Sequence, residues 1–176
     1  MSPSKKKKKP DLPYRSCVGI MLLNAQGRVW IGDRLSKKGG ETSGTFTWQM
    51  PQGGIDKGEE PVEAARRELA EETGTDKAEI IAQCKDWLTY DLPDELIGRA
   101  LKGKYRGQKQ KWFAMRFKGT DADIDLNAHN HPEFSRWRWA DIDELVDLIV
   151  PFKRDIYRRL VEEFRPLTTP SNGAKD

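Results

Sequence analysis

The chain has 176 residues and a mass of 20.2 kDa, the size of one domain at about 100–200 residues each, which excludes a multidomain machine. Charged residues make up 34% of the sequence against a usual figure of about 25%. The longest apolar run, Cys17 to Leu23, falls far short of the about 20 residues that a membrane helix needs. The net charge is +3, and five lysines stand in the run Lys5 to Lys9, so the rest of the chain sums to −2. That balance argues against coating nucleic acid by overall charge and directs attention to local basic patches. The lysine run reads as a solvated, disordered arm over residues 1–13, with weak nonspecific RNA contact as the alternative. No apolar segment adjoins it, so it lacks the make-up of an export signal. Cys17 and Cys84 are single and have no C-x-x-C spacing, which suggests neither a disulfide framework nor a cysteine zinc site. The expected compartment is the cytoplasm.

In chain order, Val18 to Leu23 and Arg28 to Arg34 read as two strands joined across the turn-forming Asn24-Ala25-Gln26-Gly27. Ser36 to Thr45 reads as a Gly/Ser/Thr/Lys-rich loop, after which Trp48 to Met50 resumes a short strand. The Gly-rich turn Pro51 to Gly54 leads to a helix opened by Pro61 and closed by Gly74. Its apolar stripe is Val62, Ala65 and Leu69. Glu79 to Trp87 and Lys109 to Phe117 are expected strands, the second on the alternation of Phe113, Met115 and Phe117, and Arg136 to Trp139 alternates in the same way. A C-terminal amphipathic helix carries Phe152, Ile156, Tyr157, Leu160, Val161 and Phe164. The domain is expected to span residues 14–164, with 165–176 a flexible Pro/Thr/Ser/Asn/Gly tail, and the mixture of strands and helices is that of a covered mixed sheet. His129 and His131 have no third nitrogen or sulfur ligand nearby in sequence, which argues against a structural zinc site.

Glu68, Glu71 and Glu72 fall at i, i+3 and i+4 of the first helix, so their carboxylates share one side. One reading is a solvated acidic face eased by Arg66 and Arg67. The other is a divalent-cation site: like charges at this spacing repel, acids in a last turn oppose the helix dipole, and hard oxygen donors suit Mg²⁺ or Mn²⁺ rather than zinc.

From Gly53 the sequence runs five residues to Glu59, seven more, and then Arg67-Glu68-Leu69-Ala70-Glu71-Glu72-Thr73-Gly74-Thr75. This resembles the Nudix box, G-x5-E-x7-R-E-U-x-E-E-x-G-U with U aliphatic, and departs from it only at Thr75. Further segments over residues 14–164, among them Trp48 to Gly54, Gly107 to Phe113, Pro132-Glu133-Phe134 and Phe152-Lys153-Arg154, are similar to the branch of the family containing RNA pyrophosphohydrolases and diadenosine tetraphosphate hydrolases. The resemblance implies a single-domain α/β/α sandwich on a mixed sheet. It implies catalytic roles for Glu68 and Glu72, and a Mg²⁺ or Mn²⁺ site of Gly53, Glu68, Glu71, Glu72 and Glu133, with no organic cofactor. Glu59 and Arg67 would brace the loop and helix. Arg34, Tyr90, Gln108, Lys111, Phe152 and Lys153 would meet substrate, with Arg34 and Phe152 on either side of a base and Lys153 on phosphate. The implied activity removes pyrophosphate from a 5′-triphosphorylated RNA end or cleaves dinucleoside polyphosphates. The alternatives are a diadenosine tetraphosphate hydrolase with no RNA role and a non-catalytic nucleotide- or RNA-binding module. The expected partner is the nucleotide or RNA end itself, with no membrane.

Overall fold

A computed structural model describes residues 11–35 and 45–169. The expectations for the lysine run, for the end of the tail and for most of the Ser36 to Thr45 loop lie outside those residues. Eight strands form one sheet: β1 (Tyr14–Leu23), β2 (Val29–Arg34), β3 (Trp48–Gln49), β4 (Gln52–Gly54), β5 (Ala78–Gln83), β6 (Leu88–Asp91), β7 (Gly107–Phe117) and β8 (Phe134–Ala140). Its path runs β3-β2-β1-β7-β5, with β4 on β1, β6 on β7 and β8 on β2. The sheet is mixed because the long central pair β1 and β7 is parallel, Tyr14 opposite Gly107 through Leu23 opposite Arg116, while the other ladders are antiparallel.

Strand alternation sends the two faces of this pair to different cores. Val18, Ile20, Leu22, Phe113, Met115 and Phe117 pack with Ala64, Ala65 and Leu69 of α1 (Pro61–Thr73). Met21, Leu23, Trp112 and Ala114 pack with Leu145 of α2 (Leu145–Leu148) and with Ile156, Tyr157, Leu160 and Phe164 of α3 (Arg154–Phe164). Helices on both faces make the expected sandwich.

Local chemistry explains the boundaries. Asn24 Oδ1 accepts from the backbone N–H groups of Gln26 and Arg28, and Gly27 turns the chain at φ 76°. Pro61 stands in the first turn of α1, and Gly74 ends it at φ 77° with its N–H on the carbonyl of Ala70. The apolar stripe of this helix differs from the expected one. Val62 is 40% exposed, and the buried face is Ala64, Ala65, Glu68, Leu69 and Glu72, so two of the acids point inward with the apolar residues.

Three further boundaries shift. The stretch expected as one strand, Glu79 to Trp87, is divided: β5 ends at Gln83 after a register shift between Ile80 and Ala82, and β6 starts at Leu88. Phe152 precedes the C-terminal helix, in the 3-10 turn Pro151–Lys153. The tail does not begin at residue 165. Arg165–Thr168 forms a further 3-10 turn with Pro166 in its first positions, held by Arg116 Nη2 donating to the Leu167 carbonyl at 3.2 Å and by Arg165 on Asp143 at 2.6 Å.

The central pair is also closely packed. Gly19 lies opposite Trp112, and a Cβ at Gly19 would stand 2.4 Å from the indole. Trp112 Nε1 in turn donates to Gln110 Oε1 at 2.8 Å, and Gln110 Nε2 donates to Gln108 Oε1 and Gln52 Oε1. Gly19→Ala is therefore expected to lose about 1–3 kcal/mol of stability through overpacking, measured by denaturant unfolding; an unchanged midpoint would show that the indole moves aside freely.

Candidate functional site

The site is built on the turn from β4 into α1. Gly53 and Gly54 face opposite sides of β4: a Cβ on Gly53 would stand 2.0 Å from the Glu68 carboxyl carbon, and one on Gly54 2.3 Å from Arg15 Nη2. Glycine at both positions leaves room for these two charged groups to close on the backbone. Arg67 fixes the turn against the helix. Its Nε and Nη2 donate to the two carboxylate oxygens of Glu59 at 2.8 and 2.9 Å, and Nη2 also donates to the Gly54 carbonyl at 2.8 Å. Its Nη1 reaches Glu68 Oε1 at 2.9 Å and Glu71 Oε2 at 3.3 Å. The paired guanidinium bonds hold the Glu59 carboxyl down at about 2.

The acids differ in environment. Burial pushes Glu68 up to about 7 despite the adjacent Arg67. Glu72 is raised well above the usual carboxylate range, first by burial and then by the charge of Glu68, although its Oε2 accepts from the Gln52 N–H at 3.0 Å. Glu71 is the more open of the three, its side chain 45% exposed. Glu133 comes from a segment distant in sequence, just before β8, with its Oε2 3.9 Å from Arg34 Nη2.

Glu68, Glu71, Glu72 and Glu133 line two adjoining cavities. The first, of about 300 Å³, is completed by Arg15, Arg34, Gln49, Gln52, Gly53, Gly54, Leu101 and Gln108. The second, of about 350 Å³, is completed by His129, Asn130 and His131. Among the described residues no three acid, histidine or cysteine side chains converge at metal-binding distances. The donor set nevertheless fits a divalent cation. It is made of carboxylate oxygens beside a Cβ-free backbone, two of its acids are buried, with the charge of Glu68 adding to the raised protonation of Glu72, and hard oxygen donors are the ligands of Mg²⁺ and Mn²⁺.

Of the residues singled out from the sequence, the structure brings together Gly53, Glu68, Glu71, Glu72, Glu133, Arg34 and Gln108 at the first cavity, with Glu59 and Arg67 behind them. Tyr90 pairs with Gln108 across the β6–β7 ladder and meets Phe152 at a ring separation of 5.7 Å. These two aromatics line a different hollow with Tyr14, Thr89, Asp91, Asp155 and Ile156, so Phe152 does not share a cavity wall with Arg34. Lys153 is 2% exposed with its ammonium 5.2 Å from the Tyr90 ring centroid, which corrects its expected place on phosphate: the 3-10 turn directs it inward. Lys111 is also corrected. It pairs with Val18 on the α1 side of β7, opposite to the side of Gln108, and its Nζ donates to the Cys84 carbonyl at 2.8 Å.

Sequence reasoning missed Arg15, Gln49, Gln52, Leu101 and the two histidines. Arg15 had no signal of its own, since its approach to the acids depends on the pairing of β1 with β4. The histidines had none, since their proximity to the acids depends on how the loop before Glu133 folds back over α1.

A family profile for the NUDIX domain matches residues 13–160. Among curated relatives, the RNA pyrophosphohydrolase of Mesorhizobium japonicum is 52% identical over 171 residues, covering 95% of this chain and 99% of the relative. That of Novosphingobium aromaticivorans is 57% identical over 158 residues, covering 89% and 95%. Among solved structures, a C. elegans Ap4A hydrolase binary complex superimposes with a TM-score of 0.59 at 17% identity, covering 86% of this chain and 98% of that one. The E. coli dihydroneopterin triphosphate pyrophosphohydrolase does so with a TM-score of 0.61 at 19% identity, covering 86% and 99%. At such identities the structural matches speak for the fold alone.

The two buried acids give the site a testable pH signature. Their protonation is easier in the folded chain than in the unfolded one, so the folded state binds the extra protons between the unfolded value near 4.5 and the raised folded values. Stability from this source is present at low pH and is lost as pH rises, through about 7 for Glu68 and through the raised range of Glu72. Glu72→Gln, which keeps an acceptor for the Gln52 N–H, is expected to raise the metal-free melting temperature at pH 8 and to raise it less at pH 5. A gain independent of pH would remove the charge argument.

Proposed function

The chain belongs to the Nudix family, and from that premise we propose that it is a metal-dependent RNA pyrophosphohydrolase that converts a 5′-triphosphorylated RNA end to a 5′-monophosphate, with dinucleoside polyphosphates as a second substrate class. The observation that carries this reading is the cavity where four carboxylates face Arg15 and Arg34, on a chain aligned over nearly its whole length with RNA pyrophosphohydrolases. A binding module has no use for buried acids aimed at a polyanion.

In this reading Gly53, Glu68, Glu71, Glu72 and Glu133 hold Mg²⁺ or Mn²⁺, and the compartment is the cytoplasm. A bound divalent cation supplies charge neutralisation of the polyphosphate and Lewis acidity. The chain's own residues do the rest. Arg15 and Arg34, in the same cavity wall as the acids, bind and orient phosphate oxygens, and the Gln108 amide, held by Gln110, adds a polar contact. Water attacks phosphorus in line, the bond to the departing pyrophosphate breaks, and Glu68 takes the proton of the attacking water. A carboxylate lifted towards neutrality suits that task, and because Glu68 and Glu72 interact, the proton belongs to the pair. Phe152, half-buried against Tyr90, offers a ring face to an unpaired base.

Two measurements test the assignment. Triphosphorylated RNA is expected to yield pyrophosphate and a monophosphate end in a metal-dependent reaction that Glu68→Gln slows about 10²–10⁴-fold; turnover of diadenosine tetraphosphate alone would move the assignment to the dinucleoside class, and turnover of neither would favour a binding module. Phe152→Ala is expected to weaken RNA binding by about 1–3 kcal/mol, the range for a lost base stack. A fall in melting temperature with unchanged affinity would return Phe152 to the core cluster around α3, against which it is packed.

A further inference from the structure

Between β6 and β7 the chain leaves the sheet at Leu92, whose N–H donates to the Arg106 carbonyl at 2.8 Å, and makes a closed excursion. Within it Gly98, Leu101, Lys102 and Gly103 all have positive φ, at 84°, 55°, 58° and 70°. The two glycines adopt this region readily. Leu101 and Lys102 do not, and they are the only non-glycine residues with positive φ among those described. A β-carbon in the left-handed region crowds the following carbonyl, and two in succession persist only where the surroundings hold them there. The hold is visible: Ala100 is buried, Leu96, Ile97 and Leu101 pack partly against the core around α3, and the Lys104 N–H closes on the Leu101 carbonyl at 3.3 Å.

The conformation puts Leu101 in the wall of the first cavity beside Arg15 and Gln108. Every other residue of that wall is an arginine, a glutamine, a glutamate or a glycine. Part of the isobutyl group packs on the core around α3, and the rest is the one apolar side chain that this cavity wall presents. Phosphates and cations are served by the polar wall. The part of a nucleoside polyphosphate that an apolar group can serve is the uncharged face of the nucleoside.

We propose that Leu101 is a specificity-determining residue that packs on the ribose or base of the nucleoside carrying the polyphosphate, so that the site favours nucleoside-bearing substrates over bare polyphosphate. This rests on the polyphosphate-hydrolase reading above and adds to it a residue outside the Nudix box. The strained backbone fixes the side chain before substrate arrives, which spares the ordering that a flexible loop would require.

The test compares a triphosphorylated RNA oligonucleotide as substrate with inorganic tripolyphosphate as competitive inhibitor, in the parent chain and in Leu101→Ala. The expected result is an RNA KM raised about tenfold, the scale of a lost apolar contact in a binding pocket, with the larger share of the loss in KM rather than kcat and the tripolyphosphate inhibition constant changed less than twofold. Leu101→Asn, whose side chain tolerates the left-handed region, is expected to give the same split and keeps the test open if the alanine variant fails to fold. An unchanged RNA KM, or equal losses for RNA and tripolyphosphate, would overturn the proposal. If the parent chain itself does not act on triphosphorylated RNA, the RNA assignment fails instead, and the same comparison is made with diadenosine tetraphosphate, which presents the same nucleoside face.

Discussion

The guanidinium of Arg67 is the interaction on which the rest of the site depends. One planar group engages Glu59 in the turn, the carbonyl of Gly54 at its start, and Glu68 and Glu71 one helical turn apart. It adds side-chain bonds between β4, the turn and the helix to the packing of Ala64, Ala65 and Leu69, and it places positive charge against both Glu68 and Glu71. The fork geometry matters as much as the charge. An ammonium offers three donors around one point, whereas these partners lie in several directions and two of them take a parallel pair of bonds.

That arrangement also lets acids be buried. Glu68 and Glu72 lie on the same face of α1 as Ala64, Ala65 and Leu69, where burial favours the protonated form. Arg67 offsets part of this for Glu68, and the Gln52 N–H offsets part of it for Glu72. The remaining imbalance marks the site as one prepared for added positive charge. Stability and function oppose each other here, and the helix is held to the sheet both by Ala64, Ala65 and Leu69 and by hydrogen bonds of its charged residues, Arg67 on the Gly54 carbonyl and Glu72 on the Gln52 N–H.

Much of this was legible in the sequence. The Gly53 to Gly74 segment carries its own boundaries, a proline in the first turn and a glycine beyond the last, and the spacing of its acids fixes which side of the helix they share. The alternation in β7 and the stripe of α3 were read from periodicity in the same way. The misreadings have a common physical origin in long-range packing. Val62 looks like part of an apolar stripe until the sheet takes the neighbouring face. Lys111 looks like a site lysine until strand register sends it to the other side from Gln108. Lys153 and Phe152 are displaced by a short turn before α3 that has no strong signal beyond Pro151. Leu101 could not be found at all, because nothing in a leucine announces a left-handed backbone.

The parallel ladder at the centre of the sheet bears on how the protein reaches its folded state. Tyr14 stands opposite Gly107 and Leu23 opposite Arg116, so each pair joins residues 93 positions apart. Arg15, on one strand of that ladder, and Gln108, on the other, line the same cavity as the acids of α1. The intervening chain must be closed into a large loop before these contacts form, and the closure entropy is lost before the contacts offset it. The segment carrying the Nudix box lies inside that loop. A nascent or truncated chain ending before β7 would therefore contain the whole motif and lack the surface that completes the site, and even β7 brings only part of it, because Glu133 follows later in the chain.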